Sequence, residues 1–264
     1  MTIASDIIFD EKASRRIEAI YATPDVVAQR SSVLKAMALN PGERVLDIGS
    51  GPGYLAQSIG EQVGSTGQVQ AIDVSESMCA IAQRRCADLP WISLKVADAV
   101  TLPFENNYFD VAVCSQVYEY LDNLDSALAE LFRVLKPGGR VLVMDTDWGS
   151  IVWHSTDSQR MQRVLKAWDK HLVDPYLPRV LGPKLVKVGF DLIDVEVVPL
   201  LNSKYDPQTY SAGMMSLIAA FVHRHSELEE QEIEQWKLDL RQLGEQGLYF
   251  FSLNRYMFYL KKPD

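Results

Sequence analysis

Three glycines and two aspartates are the residues whose types and spacing most clearly suit ligand binding. Gly49, Gly51 and Gly53 follow a short apolar run with one residue between each pair, and an apolar helical pattern begins directly after them. Glycines let a backbone approach a ligand where a Cβ would clash, and free N–H groups at the start of a helix favour negative charge. Asp47 lies inside the apolar run, and Asp73 ends the next one. The pattern predicts a strand, a glycine turn and a helix, the first half of a nucleotide-binding βαβ unit.

The segment resembles the first motif of class I S-adenosylmethionine (SAM)-dependent methyltransferases. Four further segments resemble the later motifs of that family in order and spacing: 68–73, 96–99, 104–114 and 130–139. The most similar sub-type is the small-molecule branch that includes the ubiquinone/menaquinone-biosynthesis methyltransferases. The Gly-x-Gly-x-Gly spacing differs from the Gly-x-Gly-x-x-Gly of dinucleotide binders, which disfavours a nicotinamide-dependent oxidoreductase.

The resemblance implies SAM as the cofactor and assigns its contacts. The glycine turn is expected to hold the methionine part, and the Asp73 carboxylate the ribose hydroxyls. Residues after the second, third and fourth strands are expected to flank the adenine and the methionine side. The full set of expected cofactor-binding residues is Tyr21, Asp47, Gly49, Ser50, Gly51, Gly53, Asp73, Val74, Met78, Asp98, Ala99, Ser115 and Gln116. Tyr21 has the alternative of being only a packing residue in the leading helices.

Methyl transfer requires donor and acceptor to be held in line, and a base only where the acceptor must lose a proton. The catalytic candidates are Tyr118, which follows the fourth predicted strand, and Asp147 and His154, which follow the fifth. His154 ends an aromatic-rich loop that could stack on a flat acceptor. Each of the three has a structural alternative, because a lone polar side chain often only satisfies local hydrogen bonds. Further candidates with less support are Glu119, Asp145, His171, His223 and His225.

The three cysteines have two opposed interpretations. Cys79 and Cys86 lie on one predicted helix, and Cys114 ends a strand elsewhere. Arsenite methyltransferases share the fold and use converging thiolates, but these cysteines fall in the cofactor half of the chain, which disfavours that chemistry. No Cys/His spacing resembles a zinc site, so we predict no metal. An odd count without paired spacing argues against a disulfide framework and suits a reducing compartment.

Composition narrows the class of partner. The chain has 264 residues and a formal net charge of −9, and no Lys/Arg run is longer than two residues. An acidic chain without a basic stretch disfavours nucleic acid as a partner. There is no signal-peptide pattern and no apolar run long enough to span a membrane, so we expect a cytoplasmic protein with a small-molecule substrate. Its oligomeric state, monomer or homodimer, is left open.

The elements that must position these residues follow from periodicity. Near-continuous apolar runs predict parallel strands at 44–48, 69–73, 92–96, 109–114 and 140–145, and two later strands at 191–198 and 249–260. We therefore expect an α/β fold: a Rossmann-like seven-stranded, mostly parallel sheet with helices on both faces and the last strand antiparallel. A single domain over 1–264 is expected, with N-terminal helices at 1–40, a SAM-binding core at 41–147, and insertions at about 148–178 and 202–246 that form a helical cap over the substrate.

The sequence thus predicts methyl transfer from SAM to a small acceptor at oxygen, nitrogen or carbon. An apolar, Met-rich stretch at 210–221 indicates either helix packing or an apolar acceptor pocket. The alternative from another class is a SAM-binding protein that does not methylate, such as an isomerase, a cyclase or a sensor.

Overall fold

The computed structural model describes residues 17–264 and contains one seven-stranded sheet. The strands are β1 Arg44–Ile48, β2 Gln68–Asp73, β3 Ile92–Val96, β4 Phe109–Ser115, β5 Leu135–Trp153, β6 Asp191–Asn202 and β7 Phe251–Lys261. Their order is β3-β2-β1-β4-β5-β7-β6, with β1 to β5 parallel and β7 antiparallel to both of its neighbours. The predicted fold class is confirmed, including the antiparallel last strand.

Eight α-helices of ten or more residues surround the sheet in the described part of the chain. They are α1 Pro24–Ala36, α2 Tyr54–Val63, α3 Glu76–Arg85, α4 Leu124–Val134, α5 Ser158–Trp168, α6 Pro178–Val188, α7 Tyr210–His225 and α8 Glu230–Glu245. Residues 17–21 are also helical, and short 3₁₀ turns cover Tyr118–Tyr120 and Asp169–His171. The part of the predicted N-terminal helices that falls on 1–16 lies outside the described residues.

Apolar stripes on the helices explain the layering. Leu128 and Leu131 of α4 and Leu181 of α6 are fully buried against one face of the sheet. Ile59 and Val63 of α2 and Val33 of α1 are buried against the opposite face. Burying an apolar side chain of this size contributes about 1.5–3 kcal/mol, so both helix layers hold the carboxyl ends of the parallel strands in fixed positions.

The fifth strand differs from the prediction. It was predicted to end at 145, but it continues to Trp153 because it pairs with β7 as far as Trp153 opposite Phe251. An irregularity between Asp147 and Val152 interrupts the register without ending the strand. The segment predicted as an aromatic-rich loop is therefore strand, and the helical part of the first insertion begins only at Ser158.

The cap, defined as α5, α7 and α8, has its own apolar core beyond the end of the sheet. Trp168 of α5, Ile218 of α7 and Trp236 of α8 are buried together there, and Ile20 from the helical segment at 17–21 packs with them. The N-terminus of α7 is fixed by Asp25 of α1, whose carboxylate accepts the Tyr210 N–H at 2.9 Å. A negative charge at a helix N-terminus is favourable, so α1 and the cap are joined at this point.

Candidate active site

A cavity of about 780 Å³ lies at the carboxyl ends of the parallel strands. Ile48, Ile72 and Ser115 reach it from β1, β2 and β4, and Ala97 reaches it from the segment after β3. The cap and the helical segment at 17–21 close its other side. Open α/β sheets bind ligands at this edge, so the position of the cavity agrees with the general rule for the fold.

Backbone hydrogen bonds hold the glycine turn in shape. The N–H groups of Gly49 and Ser50 both donate to the Ile72 carbonyl, at 2.8 and 2.9 Å. Gly51 and Gly53 have φ angles of +52° and +81°, which side chains other than glycine rarely tolerate. A Cβ at Gly53 would lie 2.7 Å from the Ala82 Cβ, so this glycine permits close packing of α3. A Cβ at Gly51 would meet no protein atom within 4 Å, because Gly51 faces the cavity.

Asp73 connects the end of β2 to the turn. Its Oδ2 accepts the Gly51 N–H at 2.8 Å, and its Oδ1 accepts the Ser75 N–H at 2.9 Å. Burial raises the pKa of this carboxyl, although the two backbone donors oppose the rise. A carboxylate offers about four acceptor positions, so two remain for hydroxyl groups in the cavity.

Ten of the thirteen predicted cofactor-binding residues line the cavity together. They are Tyr21, Gly49, Gly51, Asp73, Val74, Met78, Asp98, Ala99, Ser115 and Gln116. Val74, which is 62% exposed, and Met78, which is buried, both give the cavity an apolar lining after β2. Asp98 is exposed, and its Oδ1 accepts the Val100 N–H at 3.0 Å.

The other three predicted residues, Asp47, Ser50 and Gly53, lie behind the cavity wall. The Oδ2 of Asp47 and the Oγ of Ser50 are buried without a hydrogen-bond partner among residues 17–264. Burial, with the neighbouring charge of Asp73, raises the pKa of Asp47 to about 7. The structure does not place these three residues in the cavity lining, and their contact with the cofactor stays a prediction.

None of the three predicted catalytic residues lines the cavity. Tyr118 is 1% exposed and packs in the apolar layer between the sheet and α4. The Asp147 carboxylate is engaged by Arg179, whose Nε and Nη2 each donate to it at 2.9 Å. His154 is exposed, because β5 directs the preceding Trp153 into the cap core against Trp236. A catalytic role for these three residues stays a prediction, and their positions outside the cavity lining do not support it.

The remaining histidines are also outside the cavity wall. His171 is fully buried in the cap, stacks on Trp168 at 3.6 Å between ring centroids, and has its pKa lowered to about 3 by burial. His225 stacks on Phe221, and His223 is exposed on α7. The described part of the cavity wall therefore contains no imidazole.

Two buried carboxyl groups stand directly behind the wall. Glu119 accepts the Thr146 N–H at 3.2 Å, and burial raises its pKa to about 7 although the charge of Arg255 opposes the rise. Burial, then the charge of Glu119, raises the pKa of Asp145 well above its ordinary value. Two carboxyls that repel one another out of water favour keeping at least one proton between them.

A second group of cavity residues, here called the acceptor end, comes from the cap, β5, β7 and the turn after β4, and none of them was named individually as a predicted site residue. They are Tyr120, Trp148, Trp168, Tyr210, Met214, Leu217 and Arg255. Tyr210, Met214 and Leu217 share one face of α7, so the stretch at 210–221 carried a usable signal. Arg255 also carried a signal in the sequence, since it is a basic residue at an inward position of the apolar strand β7.

The cysteines are dispersed. Cys79 donates to the Lys95 carbonyl at 3.6 Å and Cys86 to the Gly53 carbonyl at 3.9 Å, and burial is the main cause that raises the pKa of all three thiols. Across residues 17–264 no group of His, Cys, Asp and Glu side chains is arranged to hold a metal ion. No helix in the same range is both long and apolar enough to cross a membrane.

Comparison with known proteins agrees with this geometry. A methyltransferase domain family model matches residues 46–143. The ubiquinone/menaquinone biosynthesis C-methyltransferase UbiE of Ralstonia pickettii is 31% identical over 205 residues, which is 76% of this chain and 70% of that protein. For other curated relatives the chain spans only about half of their length, 54% in one and 44% in another.

Solved structures share the fold at low sequence identity. The Haemonchus contortus phosphoethanolamine N-methyltransferase 2 in complex with S-adenosyl-L-methionine has a TM-score of 0.64 and 22% identity, over 100% of this chain and 60% of that one. The [4+2]-cyclase SpnF has a TM-score of 0.59 and 23% identity, over 90% of this chain and 81% of that one.

The residues present fit SAM. The open position at Gly51 suits the methionine part, the acceptor positions left on Asp73 suit the ribose, and the apolar side chains of Val74 and Met78 suit the adenine. With the relative that is similar over most of both chains, these features settle the family: the chain belongs to the class I SAM-dependent methyltransferases and resembles the ubiquinone/menaquinone biosynthesis C-methyltransferases among them.

Proposed function

We propose that this protein transfers the methyl group of SAM to a small, aromatic or apolar acceptor molecule. The observation that carries the proposal is the cavity itself. One end is formed by the glycine turn and Asp73, and the acceptor end is formed by aromatic and apolar side chains such as Trp148, Trp168 and Met214. A continuous cavity of this kind can hold two small molecules against one another.

The chain's contribution is to bind and orient. Asp73 would hold the ribose, Val74 and Met78 would flank the adenine, and Gly51 would leave room for the methionine part. When bound, SAM supplies an electrophilic methyl carbon on a sulfonium that leaves as a neutral thioether. Because the sulfonium charge disperses as the methyl group moves, alignment of the reacting atoms is the main requirement, and orientation can supply several kcal/mol of the barrier reduction.

The protonation states of three tyrosines that line the cavity restrict the choice of acceptor. Burial raises the pKa of Tyr21 to about 12 and raises the pKa of Tyr120 and Tyr210 above the ordinary value. These phenols keep their protons near neutral pH and can donate hydrogen bonds, but they are poor bases there. The acceptor atom must therefore be nucleophilic in the form in which it binds.

A screen with methyl-labelled SAM tests the proposal. The purified protein is incubated with labelled SAM and a fractionated metabolite extract, and labelled products and S-adenosylhomocysteine are followed together. We expect a labelled small molecule with one equivalent of S-adenosylhomocysteine. The Gly51→Val variant serves as the control that should give neither.

The same screen separates the alternative of a SAM-binding enzyme that does not methylate. Such a protein would bind SAM and convert a compound in the extract without forming S-adenosylhomocysteine. The likeness to a [4+2]-cyclase concerns the fold alone, so it supplies the reason to monitor unlabelled products and no more. Consumption of a substrate with no label transferred would overturn the proposed methyl transfer.

A further inference from the structure

Arg255 is the charged residue of the acceptor end that the proposed mechanism leaves without a role. It lies on β7, which pairs with β5 on one side and β6 on the other, so hydrogen bonds to two neighbouring strands fix its backbone. The residue is 2% exposed, and it lines the cavity. A guanidinium stays charged at any physiological pH, so a permanent positive charge faces the acceptor end.

The direct partners of this guanidinium are neutral. Its Nε donates to the Thr146 Oγ1 at 3.3 Å, and its Nη1 donates to the Gln29 Oε1. The guanidinium carbon lies 5.1 Å from the centre of the Tyr210 ring. Within residues 17–264 no carboxylate oxygen comes within 4 Å of it, unlike the arginines at 133, 140 and 179, which each pair with an acid.

The buried acids Glu119 and Asp145 form no ion pair with Arg255. The Glu119 carboxylate accepts the Thr146 N–H at 3.2 Å instead, and burial raises its pKa to about 7 although the charge of Arg255 opposes the rise. Burial, then the charge of Glu119, raises the pKa of Asp145 well above its ordinary value. A buried charge without an ion-pair partner carries a large desolvation cost. A ligand that brings a negative oxygen would offset that cost.

The surroundings define what else the ligand must be. Flat aromatic side chains, Tyr120, Trp148, Trp168 and Tyr210, line the same cavity as Arg255, and the Tyr210 ring lies beside the guanidinium. We propose that Arg255 binds an anionic oxygen, a carboxylate or a phenolate, carried by a flat aromatic acceptor, and thereby fixes which atom of that acceptor faces the methyl donor. This rests on the proposed function, and it also means that cationic amines are poor acceptors.

Binding measurements with a charged and a neutral probe of the same shape test the inference. The protein is first saturated with S-adenosylhomocysteine, and that titration reports on the cofactor end alone. It is then titrated calorimetrically with 2-naphthoate and with 2-naphthamide, and in a second arm at pH 8 with 4-nitrophenol, which is largely ionised there, and with 4-nitroanisole. The two arms distinguish a carboxylate from a phenolic oxygen.

We expect at least one of the anion-forming probes to bind about ten- to a hundredfold more tightly than its neutral partner, as for a hydrogen bond to a charged group. Arg255→Met should remove that preference while S-adenosylhomocysteine binds as in the wild type. Arg255→Lys should keep part of it, because the charge remains but the planar fork is lost.

The wild-type comparison decides the case even where Arg255→Met does not fold. Equal affinity for charged and neutral probes, or no measurable binding of any of them, overturns the assignment of Arg255. A preference that persists unchanged in Arg255→Met overturns it as well. If the wild-type protein does not bind S-adenosylhomocysteine, that result contradicts the proposed function instead.

Discussion

At the residue scale, Asp73 shapes the glycine turn and also faces the cavity. Both of its oxygens already accept backbone N–H groups, from Gly51 and Ser75. Removing the carboxylate would take away the ribose acceptors and loosen the turn at the same time. The residue thus links local backbone geometry to cofactor affinity.

Asp73→Ala should weaken SAM binding by about 1–3 kcal/mol, the cost of hydrogen bonds lost at a partly buried carboxylate. Isothermal titration with SAM measures the change. Asp88→Ala, at an exposed position, is the matched control and should bind as the wild type does. Unchanged affinity in Asp73→Ala would remove Asp73 from the site.

Gly51 permits a sharper comparison, because the chain contains another glycine with a positive φ angle and open space at its Cβ position. Gly51 and Gly247 have φ angles of +52° and +71°, and neither would bring a Cβ within 4 Å of another atom. Gly51→Ala and Gly247→Ala should each lose about 1–2 kcal/mol of stability, but only Gly51→Ala should lose SAM affinity. Equal SAM affinity in the two folded variants would contradict the cradle at Gly51.

The residues of the cofactor end were predictable from sequence, because the glycine spacing and the acid at the end of β2 are local sequence features of this turn. Tyr118 and Tyr120 show where that reasoning stops. Both follow β4, and the 3₁₀ turn at Tyr118–Tyr120 sends the first into the core and the second into the cavity. Sequence spacing alone does not say which of two nearby tyrosines such a turn exposes.

At the element scale, the length of β5 decides what His154 can do. The strand runs on to Trp153 because β7 provides a partner far along the chain, and no local pattern around 148–153 reveals that pairing. The apolar, aromatic composition of the segment predicts a ligand-contacting loop. In the structure the segment is strand: Trp148 does line the cavity, whereas Trp153 packs against Trp236 in the cap core and His154 is exposed.

His154→Ala should therefore leave methyl transfer within about twofold of the wild type, since an exposed group outside the cavity contributes little to the reaction barrier. The rate of S-adenosylhomocysteine formation in the extract assay measures this. A fall of tenfold or more, with SAM affinity unchanged, would restore His154 as a base.

The contact between α1 and α7 makes a second prediction about elements. Asp25 accepts the N–H of Tyr210 and the Nδ2–H of Asn202, at 2.9 and 2.8 Å. Asp25→Ala should cost about 1–2 kcal/mol in free energy of unfolding, as for the loss of a helix cap. Urea unfolding checks the value, with exposed Glu227→Ala as a control that should be neutral. No loss of stability in Asp25→Ala would show that the cap does not depend on this contact.

At the scale of the whole molecule, buried acids give stability a defined pH dependence. Burial raises the pKa of Asp47 and of Glu119 to about 7, from ordinary values of 3.8 and 4.5. The folded state thus binds protons that the unfolded state has already released. Stability from these groups is present below the unfolded values and is lost as pH rises through 7.

The free energy of unfolding should fall between pH 5 and pH 8, by about 1–3 kcal/mol for each group. The asparagine in Asp47→Asn does not titrate, so this variant should show a smaller fall of unfolding free energy with pH than the wild type. Asp88→Asn, at an exposed position, should show the same fall as the wild type. Urea titrations at several pH values measure both. A wild-type stability that rises over this range would contradict the assignment of these protonation states.

The sequence predicted the order of strands and helices well, because parallel strands and amphipathic helices have strong periodicity. The acceptor end was harder to predict from the sequence. Its residues Trp148, Tyr210 and Arg255 come from three separate elements, β5, α7 and β7. Only the cap packing against the sheet brings them together. Such a site depends on tertiary contacts and leaves no contiguous motif.

The most direct test of the central claim is a calorimetric titration of the purified protein with S-adenosylhomocysteine and SAM, with NAD as the comparison. The account predicts saturable binding of the first two at one site per chain, a rise in the unfolding temperature with each, and no response to NAD. No heat and no thermal shift with either sulfur compound would contradict it.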